Sequence, residues 1–267
     1  MDFTLETYNH LLNALQTCNF AFQHFHGLLQ HPCSKTVVLR HDVDKLPANA
    51  LQMAHLEHAI GVPASYYFRV VPDSWDETVM AQIAALGHEI GYHYEDLTIA
   101  GGDYKKAIRH FETSLARLRR IYPVTTICMH GSPLSRHDNR DLWKRYNYRD
   151  FDIIGEPYFD LDFDRVFYLT DTGRRWDGRQ VSVRDKGGEC KTEDKGQRIE
   201  GGPWPAFHST PEIIAAVQNG SFPDKAMINV HPQRWTDRPW PWVKELVGQN
   251  VKNVVKGILI RIRNEKN

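Results

Sequence analysis

Short apolar runs rich in β-forming residues alternate along this chain with segments whose apolar residues recur at helical spacing. The predicted strands are residues 36–40, 64–70, 89–93, 125–129, 151–154, 166–170 and 226–230. Helices are predicted over residues 5–29, 48–60, 76–86 and 103–122. Strands and helices that alternate in this way form βαβ units around a mainly parallel sheet. A chain of 267 residues is long enough to build one α/β barrel in this way.

One segment departs from this alternation. The stretch from about residue 173 to 202 is polar and rich in Gly, Lys, Asp and Arg, so it has little apolar surface to bury. We predict that it is a loop or hairpin inserted over the mouth of the barrel. No clear interdomain linker interrupts the chain, and we therefore expect a single domain over residues 1–267.

Charge and composition argue against several classes of protein. Lys and Arg number 33 and so do Asp and Glu, so the formal net charge is zero and no basic field attracts nucleic acid. No apolar run is long enough to span a bilayer. The first six residues lack the features of a secretory signal, and the four cysteines are widely spaced without a C-x-x-C pair. We expect a cytoplasmic protein with reduced thiols, no membrane span and no nucleic-acid partner; the sequence does not indicate an oligomeric state.

The strand predicted at residues 36–40 runs directly into the sequence His41-Asp42-Val43-Asp44. Side chains alternate faces along a strand, so Asp42 and Asp44 project from the same face. Two carboxylates this close repel each other unless a cation or a shared proton relieves them. The pattern predicts a metal site or an acid/base pair, and a solvated strand end capped by polar residues is the simpler alternative.

Histidines follow or end three further predicted strands. They are His93, His130 and His231. In an α/β barrel the C-terminal ends of the parallel strands meet at one mouth, where the active sites of such proteins lie. Aspartate with two or three histidines is a ligand set suited to Zn²⁺ or another divalent first-row metal. The strand ends together therefore predict a metal site.

The segment from Gly87 to His93, which reads G-H-E-I-G-Y-H, resembles the G-H-E-I-G-x-H segment of the polysaccharide deacetylases. These form the NodB-homology group, carbohydrate esterase family 4. The acid-bearing strand resembles the family's first motif, T-F-D-D-G, and His231-Pro232 resembles its late L-H motif. Order and spacing agree over roughly residues 36–232. The combination of H-D-V-D, H-Y-E-D and H-G-S-P is most similar to a divergent WbmS-like branch found with surface-polysaccharide or O-antigen biosynthesis.

This resemblance implies a distorted (β/α) barrel of about seven parallel strands and a reaction that removes an N-acetyl group from a sugar. The sugar could be nucleotide-linked, lipid-linked or part of an oligosaccharide. The implied cofactor is a divalent metal, Zn²⁺ first, with Fe, Co, Ni and Mn as alternatives. Asp42 matches the catalytic base and Asp44 the metal-binding acid. In the family the two acids are adjacent, whereas here Val43 separates them, so which of the pair is the base stays open.

The resemblance also implies roles for residues further along the chain. His93 matches the first metal-binding histidine, but the position of the second, four residues later, is Leu97. His130 is the first candidate to replace it and Asp96 the second. His231 matches the catalytic acid, and Asp171 is the candidate carboxylate that orients it; alternatively, Asp171 caps the turn at Gly173.

Two residues of the predicted insertion, Arg174 and Trp176, are candidates to line the sugar site. Two other functions remain open from the sequence. Because a family ligand is missing, the chain could be a degenerate barrel that binds a sugar without catalysis. It could also be another metal-dependent amidohydrolase or a phosphoesterase, since one fold supports several reactions.

Overall fold

The computed structural model describes residues 1–131, 135–176 and 204–264. Most of the predicted insertion at 173–202 lies outside the described residues, apart from its first four positions. In the described part of the chain, no helix combines the length and the apolar content that crossing a bilayer requires.

Seven strands pair in parallel to form one curled sheet, a half-barrel. They are β1 (Ala21–Gln23), β2 (Thr36–Val43), β3 (Ser65–Phe68), β4 (Glu89–Tyr94), β5 (Ile127–Met129), β6 (Phe167–Thr170) and β7 (Lys225–Val230). The order across the sheet is β5-β4-β3-β2-β7-β6, and β1 also pairs with β2. The prediction of an α/β fold with about seven parallel strands is therefore confirmed. In the described sheet β5 and β6 are the end strands, so the sheet curls without the closure that a complete barrel has.

Helices connect the strands. They are α1 (Leu5–Thr17), α2 (Phe25–Gln30), α3 (Pro47–Ala59), α4 (Glu77–Ala85), α5 (Asp96–Ile99), α6 (Tyr104–Leu118), α7 (Pro157–Asp160), α8 (Thr210–Gln218) and α9 (Pro239–Asn264). Short 3-10 turns lie at Asn139–Lys144, Tyr148–Phe151 and Pro232–Arg234. Side-chain caps begin several helices: Thr4, Asp76 and Asp103 each accept a hydrogen bond from a backbone N–H of the first turn.

Two sequence predictions are wrong in detail. The helix predicted over residues 5–29 divides into α1, β1 and α2, because Asn19 takes a left-handed φ of 60° and turns the chain into the sheet. A strand of three residues is too short to produce a recognisable alternation in sequence. The strand predicted at 151–154 is not formed: a 3-10 turn ends there at Asp152, and Gly155 makes a single parallel bridge to Thr126.

Strand β2 is the centre of the sheet and is buried along its whole length. Its neighbours β3 and β7 pair with it directly, and helices cover the sheet, as parallel sheets require. Apolar residues on both faces, Val37, Val38 and Leu39, are fully buried. The polar residues that follow them must therefore find partners inside the protein.

His41 points to the face of β2 opposite that of Asp42 and joins a buried network around Glu57. The Glu57 carboxylate accepts hydrogen bonds from Tyr8 Oη and Tyr66 Oη, each at 2.6 Å, and lies 2.7 Å from His41 Nε2. Burial raises the pKa of Glu57, but His41 and Tyr66 lower it by more, so the carboxyl pKa lies below its usual range. This network ties β2 to α1, α3 and β3 next to the acid pair.

Gly91 in β4 provides a test of this packing. Its partner in the β-ladder is Tyr67, whose ring lies where a Cβ at residue 91 would be, with the Thr126 carbonyl oxygen 3.1 Å from the same point. We expect Gly91→Ala to lower the free energy of unfolding by about 1–3 kcal/mol, because a methyl group overpacks this contact. Chemical denaturation measures the change.

The matched control is Gly27→Ala in α2, where a Cβ meets no atom within 4 Å among the residues described. Alanine there should be neutral or stabilising by roughly 0.5–1 kcal/mol, since glycine is the poorer helix former. Equal stability of both variants would contradict this account of β4 packing.

Candidate metal centre

The carboxyl ends of β2, β4, β5 and β7 bring four predicted site residues together. Asp44 follows β2, and its Oδ1 lies 3.6 Å from Nε2 of His93 and 3.6 Å from Nε2 of His130. Its other oxygen, Oδ2, lies 3.9 Å from Nε2 of His231. These residues are far apart in the sequence and meet because parallel strands end at one edge of the sheet.

His93, on β4, is buried and held in one orientation. Its Nδ1 donates to the backbone carbonyl of Cys128 at 2.9 Å, so the Nε2 facing Asp44 carries the free lone pair in the neutral ring. Burial lowers the pKa of His93, and the carboxylates of Asp42 and Asp44 raise it by more. The surroundings of this ring therefore favour a positive charge at Nε2, whether a proton or a metal ion.

His130 is oriented in the same way by a carboxylate. Its Nδ1 donates to Glu95 Oε2 at 2.9 Å, and Arg69 holds the other Glu95 oxygen at 2.6 Å. Burial raises the pKa of Glu95, but His130 and Arg69 outweigh it and bring that pKa to about 2. A carboxylate behind the Nδ1 of a histidine is the usual support of a metal-binding imidazole.

The Asp44 carboxylate has the features of a metal ligand. Oδ2 accepts a hydrogen bond from Gln233 at 3.2 Å, whereas Oδ1 is buried and has no hydrogen-bond partner among the described residues. Burial raises the pKa of Asp44, but the three surrounding histidines lower it by more, so this pKa lies well below its usual range. An ionised, partnerless oxygen beside two imidazole nitrogens fits a divalent cation. Asp44, His93 and His130 indeed form a candidate metal-ligand group.

A second candidate group shares His93 and combines it with Asp42 and Cys128. In this group Asp42 already has a cation beside it: Arg40 Nε and Nη2 donate to its two oxygens at 2.9 and 2.6 Å. Burial raises the pKa of Asp42, but Arg40 and His93 lower it by more. Because the guanidinium neutralises Asp42 and repels a further cation, the group around Asp44 is the better metal site.

His231 and Asp171 form a buried pair at the ends of β7 and β6. Nδ1 of His231 lies 2.6 Å from Asp171 Oδ1, and the backbone N–H of His231 donates to Oδ2 at 3.0 Å. Arg234 and Trp235 also donate to the Asp171 carboxylate, at 2.6 and 2.8 Å. Burial raises the pKa of Asp171, and Arg234 and His231 lower it by more, so this carboxyl stays ionised.

Asp96, the alternative third ligand, lies away from this centre. It is fully buried, its two carboxylate oxygens share the Tyr92 O–H at 2.9 Å each, and Oδ1 lies 2.5 Å from His110 Nδ1. Burial raises its pKa. The structure therefore assigns Asp96 to the packing of α5 against α6 and brings His130, not Asp96, to Asp44.

Arg174 and Trp176, expected to line a sugar site, are instead packing residues in the structure. The Trp176 ring stacks on Phe3 and its Nε1 donates to Thr210 at 2.9 Å. The Arg174 guanidinium lies 4.1 Å from the centre of the Trp242 ring and donates to the Trp242 carbonyl at 2.7 Å. Both side chains are buried, because the start of the predicted insertion folds against the N-terminus and α9.

Several residues of the site were not singled out from the sequence. Arg40 is two positions before Asp42 on the same strand face, so the period of two could have revealed it. Glu95 is two positions after His93 by the same rule. Gln233 follows β7 and reaches Asp44 through tertiary contacts alone, for which the sequence contains no signal.

Comparisons of the chain with protein-family models, curated proteins and solved structures find no match.

The choice between His130 and Asp96 can be tested by metal binding. Loss of a residue that supports a metal ligand lowers metal affinity by ~10–100-fold. We expect Glu95→Gln to lower the Zn²⁺ affinity by that amount and His130→Ala, which removes a ligand, to lower it by more. Asp96→Asn should leave the affinity unchanged, because its contacts are with Tyr92 and His110. Titration calorimetry of the metal-free protein measures all three. Weak binding in Asp96→Asn with normal binding in His130→Ala would reverse the assignment.

Proposed function

We propose that this chain is a metal-dependent hydrolase that removes an N-acetyl group from a sugar. The observation that carries the proposal is the arrangement around Asp44. Two oriented imidazoles face its Oδ1, an ionised Asp42 lies beside them, and the His231–Asp171 pair faces the centre from another strand end. A metal site flanked by a general base and a general acid is an arrangement suited to hydrolysis of an amide.

Asp44, His93 and His130 would hold the metal. One carboxylate and two imidazoles suit Zn²⁺ best, and Fe²⁺, Co²⁺, Ni²⁺ and Mn²⁺ are also compatible with the donor set. When bound, a divalent metal of this kind polarises a carbonyl and lowers the pKa of water. The remaining steps fall to the residues of the chain.

Asp42 is suited to the role of general base. Its Oδ2 lies 3.8 Å from His93 Nε2, next to the centre but outside the Asp44 group. Arg40 keeps its carboxylate ionised, and Asn229 fixes it with a hydrogen bond of 3.0 Å. A carboxylate in this position takes the proton of the attacking water, while Asp44 serves as the ligand.

His231 is suited to the role of general acid. Asp171 accepts the hydrogen bond from its Nδ1, which leaves Nε2 facing Asp44. The contact with Asp171 fixes the ring in this orientation, so that Nε2 is placed to donate a proton to the departing amine. The products are acetate and an amino sugar.

The sugar is assigned by the resemblance of the G-H-E-I-G-Y-H, H-D-V-D and His231-Pro232 segments to polysaccharide deacetylases. By the same resemblance the substrate is an N-acetylated sugar of surface-polysaccharide biosynthesis, carried by a nucleotide, a lipid or an oligosaccharide. A cytoplasmic location belongs to the same proposal.

Acid and base can be tested by substitution. Asp42→Asn and His231→Ala should each lower kcat for acetate release by ~10²–10⁴-fold, since each removes one proton-transfer group. Acetate is measured enzymatically with a nucleotide-linked N-acetyl sugar and with N-acetylated oligosaccharides as substrates. Both variants should still bind Zn²⁺, because neither residue belongs to the Asp44 group. Full activity in either variant would reject its assigned role.

Metal removal separates catalysis from simple sugar binding. Chelation of the purified protein should abolish acetate release, and readdition of Zn²⁺ should restore it, because the metal would polarise the acetyl carbonyl. Elemental analysis gives the metal content. A protein that contains no metal, releases no acetate and still binds the sugar would instead be a sugar-binding barrel.

A further inference from the structure

Helix α9 has one packed face and one exposed apolar face. On the packed face Trp242 donates from Nε1 to the Asp2 carbonyl at 2.8 Å, and Gln249 is buried. On the other face Trp240, Val243 and Val247 are 76%, 42% and 56% exposed. These three large apolar residues recur at helical spacing, and no part of the described chain covers them. An exposed apolar patch of this kind marks an interaction surface.

The sequence continues this spacing to the end of the helix. Beyond Val247, apolar residues recur every three or four positions, at Val251, Val254, Ile258 and Ile262. The helix extends to Asn264, so all of these positions share one line along it. We call the line from Trp240 to Ile262 the α9 stripe.

The last twenty residues are basic in sequence although the chain as a whole is neutral. Residues 248–267 contain Lys252, Lys256, Arg261, Arg263 and Lys266, against one acid, Glu265. A helix that combines an apolar stripe with an excess of Lys and Arg lies in the interface of a membrane. Its cations are attracted to anionic lipids, and tryptophan is enriched at the level of the headgroups.

We propose that α9 binds the surface of an anionic lipid membrane through the α9 stripe. The helix would lie in the plane of the membrane and not cross it. This surface is independent of the reaction proposed for the metal centre.

A second copy of the chain is a less suitable partner. A coiled-coil seam repeats strictly every seven residues, and from Trp240 and Val243 that register reaches Asn250, Gly257, Arg261 and Asn264. The stripe instead repeats every eleven residues, from Trp240 to Val251 to Ile262, so it does not form the seven-residue seam of a left-handed coiled coil. Two copies would also bring their basic segments together, and like charges repel.

The test uses the full chain and lipid vesicles. We expect it to sediment with vesicles that contain about one third phosphatidylglycerol, more weakly as salt rises, and not with pure phosphatidylcholine. Trp240→Ser combined with Val247→Ser should lower the partition coefficient at least ~tenfold, since two buried apolar groups are lost. Lys252→Gln combined with Lys256→Gln should lower it by about tenfold or more on anionic vesicles.

The matched control replaces exposed apolar residues elsewhere. Ile99 and Phe159 are each 48% exposed, and Ile99→Ser with Phe159→Ser should bind vesicles as the unchanged protein does. Circular dichroism confirms that each variant is folded. Failure to bind anionic vesicles, or equal binding by the Trp240/Val247 variant, would overturn the proposal. A dimer in light scattering that this variant converts to monomer, without vesicle binding, would assign the stripe to a second copy.

Discussion

The structure depends on burying ionisable residues on both faces of its central strand. β2 is covered on both sides, yet it carries Arg40, His41 and Asp42 in succession. Each therefore needs a partner inside the protein. Arg40 and Asp42 neutralise each other on the site face, and His41 meets Glu57 on the other. Removing one member of such a buried pair costs about 3–5 kcal/mol, so the pairs hold the strand in place.

The metal-ligand candidates are positioned by atoms that the metal would not touch. The Cys128 carbonyl and the Glu95 carboxylate each accept a hydrogen bond from one nitrogen of a histidine and turn the other toward Asp44. Gln233 occupies one Asp44 oxygen and leaves the second without a partner in the described chain. Such preorganisation means that a bound cation would meet its ligands with little rearrangement.

Asp42 and Asp44 differ because of these surroundings. Val43, between the two acids, faces away from the site, which leaves the acids on one face but in different environments. Asp42 accepts hydrogen bonds from the Arg40 guanidinium and the Asn229 amide, whereas Asp44 is surrounded by three imidazoles. The first environment keeps a carboxylate ionised and fixed, as the proposed base needs, and the second suits the proposed metal ligand.

The sequence by itself determined the α/β class, the parallel strands and the identity of the strand-end residues, because period and composition are local signals. It did not determine β1, whose three residues contain no period, or the burial of Arg174 and Trp176. The tertiary structure decided which residues meet at Asp44. His130 reaches it and Asp96 does not, since His130 follows a strand that ends at the mouth, whereas Asp96 begins a helix directed at α6. The distances from Asp44 to these side chains depend on how strands far apart in the sequence pair. Local sequence patterns do not predict that pairing.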